Sequence, residues 1–120
     1  MKFQTTLMVM ITAMLLFLMP KFLVAGEQLT ATVTEEDIEY TPEEQTVHVG
    51  QLIRMVNKDP FEHKSRITEQ LEGGKLGYIA LKDHLDKPGV SYTFTLDKEG
   101  TYEVRCMLHD GMTATIKAVK

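Results

Sequence analysis

From Leu29 onward, apolar residues recur at every second position and not at helical spacing, and turn residues close each run. Leu29-Thr30-Ala31-Thr32-Val33 alternates, as does Thr46-Val47-His48-Val49, and Gly50 separates the latter from Leu52-Ile53-Arg54-Met55-Val56. Asn57-Lys58-Asp59-Pro60 is a strong turn signal, and a strand near Lys64–Thr68 follows. Residues 69–89 contain Gly73-Gly74, Gly77 and Pro88-Gly89, so they read mainly as loop, with a short strand or turn at Tyr78–Leu81. Ser91–Leu96, Thr101–Cys106 and Met112–Val119 complete the set. Short strands separated by turns predict an all-β, antiparallel Greek-key β-sandwich of about seven or eight strands. Gly100-Thr101-Tyr102 has the form of a tyrosine corner, in which the hydroxyl is tied to backbone a few residues upstream. At 120 residues, without repeats or linkers, the chain has room for one domain.

Before that pattern begins, the chain has a different chemistry. Met1-Lys2 is followed by an apolar run from Leu7 to Met19, then Pro20-Lys21, then the small residues Ala25 and Gly26. That order is the order of a secretory signal peptide, so residues 1–26 are expected to be removed after Ala25 or Gly26, leaving a domain over 27–120. An uncleaved anchor reaching Ala25 is the alternative. The whole chain carries a formal charge of −4, and the leader holds two Lys and no Asp or Glu, so the domain is more acidic still. Net acidity argues against nucleic acid or an anionic lipid surface as a partner. The expected location is the periplasm, without stable membrane insertion once the leader is gone.

A lone cysteine in an oxidising compartment needs a reason. Alternation puts Cys106 on the buried face of its strand with Tyr102 and Val104, at the strand's last position, while Glu103 and Arg105 face out. The thiol could be inert, pair between chains, or serve as a metal-bound thiolate. Cys106-Met107-Leu108-His109-Asp110-Gly111-Met112 gathers a thiol, an imidazole and a thioether where one strand ends and the next begins. Two nitrogens and a thiolate with a distant thioether form the donor set of a blue copper site, and His63, just past the Asn57–Pro60 turn, is the natural source of the second nitrogen. His48, on an outward strand position, and His84, in a charged loop, read as surface residues. Glu35-Glu36-Asp37 with Glu39 reads as a solvated acidic face.

Over essentially the whole domain the chain resembles the cupredoxin (type 1 blue copper) family, particularly small single-domain members such as amicyanin, plastocyanin and pseudoazurin. The resemblance rests on Tyr40-Thr41-Pro42, Val47-x-Val49-Gly50, the strand ending in Asn57, His63, Ser91-Tyr92-x-Phe94, Gly100-Thr101-Tyr102-x-Val104-x-Cys106, and the short Cys-x2-His-x2-Met loop. It implies a cupredoxin-like sandwich holding one type 1 copper, with His63, Cys106 and His109 as equatorial ligands and Met112 as the axial one. It also implies a monomeric one-electron carrier working between a dehydrogenase-type donor and a cytochrome-type acceptor. A copper-binding or trafficking protein without electron transfer is the alternative. An enzyme is not expected, because the chain has no His-x-His pair of the kind that multicopper oxidases use. Two departures from the family coincide. Lys64 stands where Asn usually follows the first histidine, and Met107 where a hydroxyl residue often follows the cysteine. A side-chain bridge between the two ligand loops is thereby lost, so backbone N–H groups of Lys64 and Leu108 are expected to donate to the Cys106 sulfur instead.

Overall fold

The computed structural model describes residues 29–120, so the leader proposed for residues 1–26 lies outside the described residues. Nine strands follow in order: β1 (Ala31–Glu36), β2 (Glu39–Thr41), β3 (Glu44–His48), β4 (Ile53–Asn57), β5 (His63–Gln70), β6 (Leu76–Asp86), β7 (Ser91–Phe94), β8 (Gly100–Cys106) and β9 (Thr113–Val119). They form a four-stranded sheet in the order β2-β1-β4-β7 and a five-stranded sheet in the order β3-β9-β8-β5-β6, packed as a sandwich. Most pairings are antiparallel, but β1 runs parallel to β4 and β3 parallel to β9, which makes both sheets mixed and corrects the purely antiparallel expectation.

Alternation dictates which side chains fill the space between the sheets. Val33 and Met55 from one sheet meet Val47, Ile67, Tyr102, Val104, Ala114, Ile116 and Ala118 from the other, and all are buried. Cys106 belongs to this buried row, three per cent exposed, while Arg105 beside it points to water. The tyrosine corner forms as read: the Tyr102 hydroxyl donates to the Lys98 carbonyl at 2.6 Å.

Nine strands exceed the expected seven or eight for two reasons. β2 is a three-residue strand, too short to carry a period. β6 occupies eleven of the residues read mainly as loop. Its period is broken by register shifts against β5 and by Asp83 at φ 39°, and its Gly77 is not a turn residue at all. A Cβ at Gly77 would collide with the buried Glu69 side chain, so glycine is there to admit a neighbour across the ladder.

Candidate metal centre

Two connections at one end of the sandwich carry the site. The first runs from Asn57, the last residue of β4, to His63, the first of β5. Asn57 shapes it from within: its Oδ1 accepts from the Asp59 N–H at 2.9 Å, closing an Asx turn, and its Nδ2 donates to the carbonyls of Phe61 (2.9 Å) and Asp86 (2.8 Å). The second connection is residues 107–112, between β8 and β9. The Cys106 N–H donates to the Met112 carbonyl at 3.0 Å and the Met112 N–H to the His109 carbonyl at 3.4 Å, with Gly111 at φ 80° making the turn. The Met107 N–H donates to the Lys64 carbonyl at 2.7 Å and stitches the two connections together.

This scaffold brings three of the four singled-out side chains to one point. His63 Nδ1 lies 3.1 Å from His109 Nδ1, and the Cys106 sulfur lies 3.7 Å and 3.4 Å from these two nitrogens. All three donor atoms fall within 4.8 Å of one another. His63 and Cys106 are buried and His109 is half-buried, so the site has a single imidazole at the surface. Phe61 packs against both imidazoles, with ring centroids 5.3 Å from His63 and 5.6 Å from His109. Met112 is buried and joined to the loop through its main chain. Phe61, Met107 and Leu108 are the exposed apolar residues on the two connections.

The expected backbone compensation at the Cys106 sulfur is not present. Among the described residues, the hydrogen-bond partners of the Cys106 sulfur are the two imidazoles; neither the Lys64 N–H nor the Leu108 N–H reaches it. The Met107–Lys64 main-chain bond, which joins the two connections, continues the β5–β8 ladder one step past Ser65 and Cys106.

Sequence reasoning missed the polar groups behind the donors. Asp59 is only 6% exposed, and its Oδ2 sits 2.8 Å from His63 Nε2. Burial alone would raise its pKa, but hydrogen bonds from the Ile38 N–H, His63 and the Asp37 N–H hold it below the usual carboxylate value. Glu35, placed by the sequence on a solvated face, is fully buried between the sheets. Its pKa is pushed up to about 9, first by burial and then by the adjacent Asp86. Asp86 accepts from Ser65 Oγ at 2.6 Å, and Ser65 also meets the Tyr40 hydroxyl at 2.8 Å. His84 is not a loop residue: it lies on β6, bonds Asp86 Oδ1 through Nδ1 at 2.7 Å and stacks on Tyr92 at 3.6 Å. His48 is exposed, as its outward strand position predicts. The one available signal for Asp59 was its place four residues before His63 in a turn; the signal for Glu35 was that it extends the Ala31-Val33 alternation by one step, whereas Glu36 falls on the opposite face.

Residues 27–119 match the family model of copper binding proteins of the plastocyanin/azurin family. A plastocyanin of Ginkgo biloba is 31% identical over 80 residues, covering 63% of this chain and 81% of that protein. Among solved structures, a reduced amicyanin variant superposes with a TM-score of 0.61 at 22% identity, covering 75% of this chain and 82% of that one. A copper-containing nitrite reductase from Thermus scotoductus gives a TM-score of 0.62 at 22% identity, covering 78% of this chain but 23% of the enzyme.

Proposed function

Since this chain belongs to the plastocyanin/azurin family of copper-binding proteins, we propose that it is an exported, periplasmic one-electron carrier. His63, Cys106 and His109 would hold its copper, and Met112 would add a thioether. The observation that carries this reading is the convergence of two imidazole nitrogens and one sulfur at the end of the sandwich. The donor set fits the ion: a thiolate and imidazoles suit copper, and a thioether at longer range completes the blue-copper set. When bound, copper supplies a one-electron couple between Cu(II) and Cu(I).

The chain's own residues account for the rest. His63 and Cys106, buried on strand ends, keep their donor atoms fixed and exclude water. His109, the half-buried ligand, offers the edge through which an electron reaches a partner. Phe61, Met107 and Leu108 give the surface at this end an apolar patch, bordered by the exposed Glu62 and Asp110, which suits a brief, small contact with a redox protein. Residues 1–26 carry the export signal that places the domain in the periplasm.

The test is the absorption spectrum of the 27–120 domain after addition of Cu(II), followed by voltammetry. An intense visible thiolate-to-copper band and a reversible one-electron wave are expected, and both should be lost in Cys106→Ser. A band that survives Cys106→Ser sinks the ligand assignment. Stoichiometric copper uptake without a reversible wave would favour copper handling over electron transfer.

A further inference from the structure

The turn between β1 and β2 is strained. Asp37 and Ile38 both occupy the left-handed region, at φ 56° and 60°, a rare conformation for a β-branched residue. Both peptide N–H groups turn the same way, and both end on Asp59, at 2.7 Å to Oδ1 and 3.0 Å to Oδ2. Successive N–H groups in such a turn make a small anion cradle. A third bond to the same carboxylate, 2.8 Å from His63 Nε2 to Oδ2, and a fourth, from Asp59's own N–H to Asn57, fix the residue completely. Among the described residues no Lys or Arg forms an ion pair with Asp59; its only such contact is His63.

The consequence for His63 is a matter of donors and acceptors. Each Asp59 oxygen already accepts a main-chain N–H, so the carboxylate acts as the acceptor and the hydrogen between Asp59 and His63 belongs to Nε2. In a neutral ring that leaves Nδ1 with a lone pair, and Nδ1 is the atom facing Cys106 and His109. His63 Nδ1 and His109 Nδ1 are 3.1 Å apart, so between two neutral rings only one of them carries a hydrogen. With its Nδ1 left as an acceptor, His63 is the ring that receives in that contact.

We propose that Asp59 is a positioning residue of the metal centre: clamped by the β1–β2 turn, its carboxylate presets the His63 tautomer for metal binding and lowers the reduction potential of the bound copper. The proposal rests on the reading of His63 as a ligand. A carboxylate behind an imidazole raises the ring's basicity and places negative charge near the metal, and both favour Cu(II) over Cu(I). The strained turn then has a use: its two N–H groups, one on each carboxylate oxygen, keep the carboxylate aimed at the ring although it is buried.

Two measurements test this. Asp59→Asn keeps an acceptor oxygen and the side-chain shape but removes the charge. The copper-loaded Asn variant should retain the charge-transfer band and show a higher potential than wild type, and Asp59→Glu should bring it back toward the wild-type value. In the metal-free wild type, 15N NMR of the histidine rings should find His63 protonated at Nε2 and not at Nδ1. An unchanged potential in a folded, coloured Asp59→Asn protein overturns the proposal, as does a His63 ring protonated at Nδ1. If Asp59→Asn does not fold, the wild-type NMR result decides. A wild-type protein that develops no charge-transfer band overturns the ligand reading and this proposal with it, an outcome distinct from a coloured protein whose potential ignores Asp59.

Discussion

His63, Cys106 and His109 could be singled out from sequence because the chemistry of each coincided with a strand boundary, and strand boundaries are marked by alternation and turns. Residues whose role depends on what lies across the sandwich gave no such mark. Glu35 and Glu36 are adjacent acidic residues, yet one is fully buried and the other exposed, because β1 presents them to opposite faces. Tyr102 shows a single residue whose place was legible and whose contribution can now be sized. Its hydroxyl donates to the Lys98 carbonyl at 2.6 Å and meets the Tyr78 hydroxyl at 2.9 Å. Tyr102→Phe removes both bonds and leaves Lys98 and Tyr78 without their partner, so a loss of roughly 1–3 kcal/mol is expected in urea unfolding. Because Tyr102 sits at the far end of β8 from Cys106, the charge-transfer band should stay where it is in wild type. A shifted band would mean that the corner and the metal centre are mechanically coupled.

Elements with one buried face declared themselves, and elements without one did not. In β8, Tyr102, Val104 and Cys106 are buried in strict alternation, and in β9, Ala114, Ile116 and Ala118 are too. β6 lies at the edge of its sheet with a bulged register, so no period of two survives along its eleven residues, and Gly77 reads locally as a turn. The loop joining β8 to β9 was legible as a ligand loop from its residue types, but its fastening was not. Which main-chain groups bond across to residue 64 is decided by how the two connections meet. Within that loop Gly111 is the one position where backbone conformation alone sets the demand: φ is 80° and nothing lies within 4 Å of where a Cβ would go. Gly111→Ala therefore meets no clash, only the cost of a left-handed conformation, about 1–2 kcal/mol. Denaturant unfolding of the metal-free protein measures it. A neutral effect would show that the loop relaxes to another turn, and the Met112 N–H bond to His109 would then be expected to open.

At the scale of the molecule, the space between the sheets is divided by chemistry. Tyr102, Val104 and Ile116 fill an apolar core, while Glu35, Tyr40, Ser65, Asp86 and Tyr92 gather toward the metal end. Two carboxyl groups enclosed side by side cannot both ionise cheaply, and Glu35 is the one that keeps its proton, with a pKa near 9 against an ordinary 4.5. Neither of its oxygens reaches hydrogen-bond geometry, although Asp86 and Ser65 lie alongside, so little offsets the burial of a charge there. The sign of the effect on stability follows from proton counting. Between pH 4.5 and about 9 the unfolded chain has released this proton and the folded protein still holds it. Stability from this group is therefore full below pH 4.5 and is lost as the pH rises through about 9. Glu35→Gln keeps the shape and removes the titration. The difference in unfolding free energy between the variant and the metal-free wild type should thus move in the variant's favour with rising pH, at a nearly constant slope between pH 4.5 and about 9. Urea midpoints of the two proteins, compared pair by pair across that range, give the slope directly. Parallel curves would mean that Glu35 is ionised in the folded protein, and that the neutral interior carboxyl inferred here is wrong.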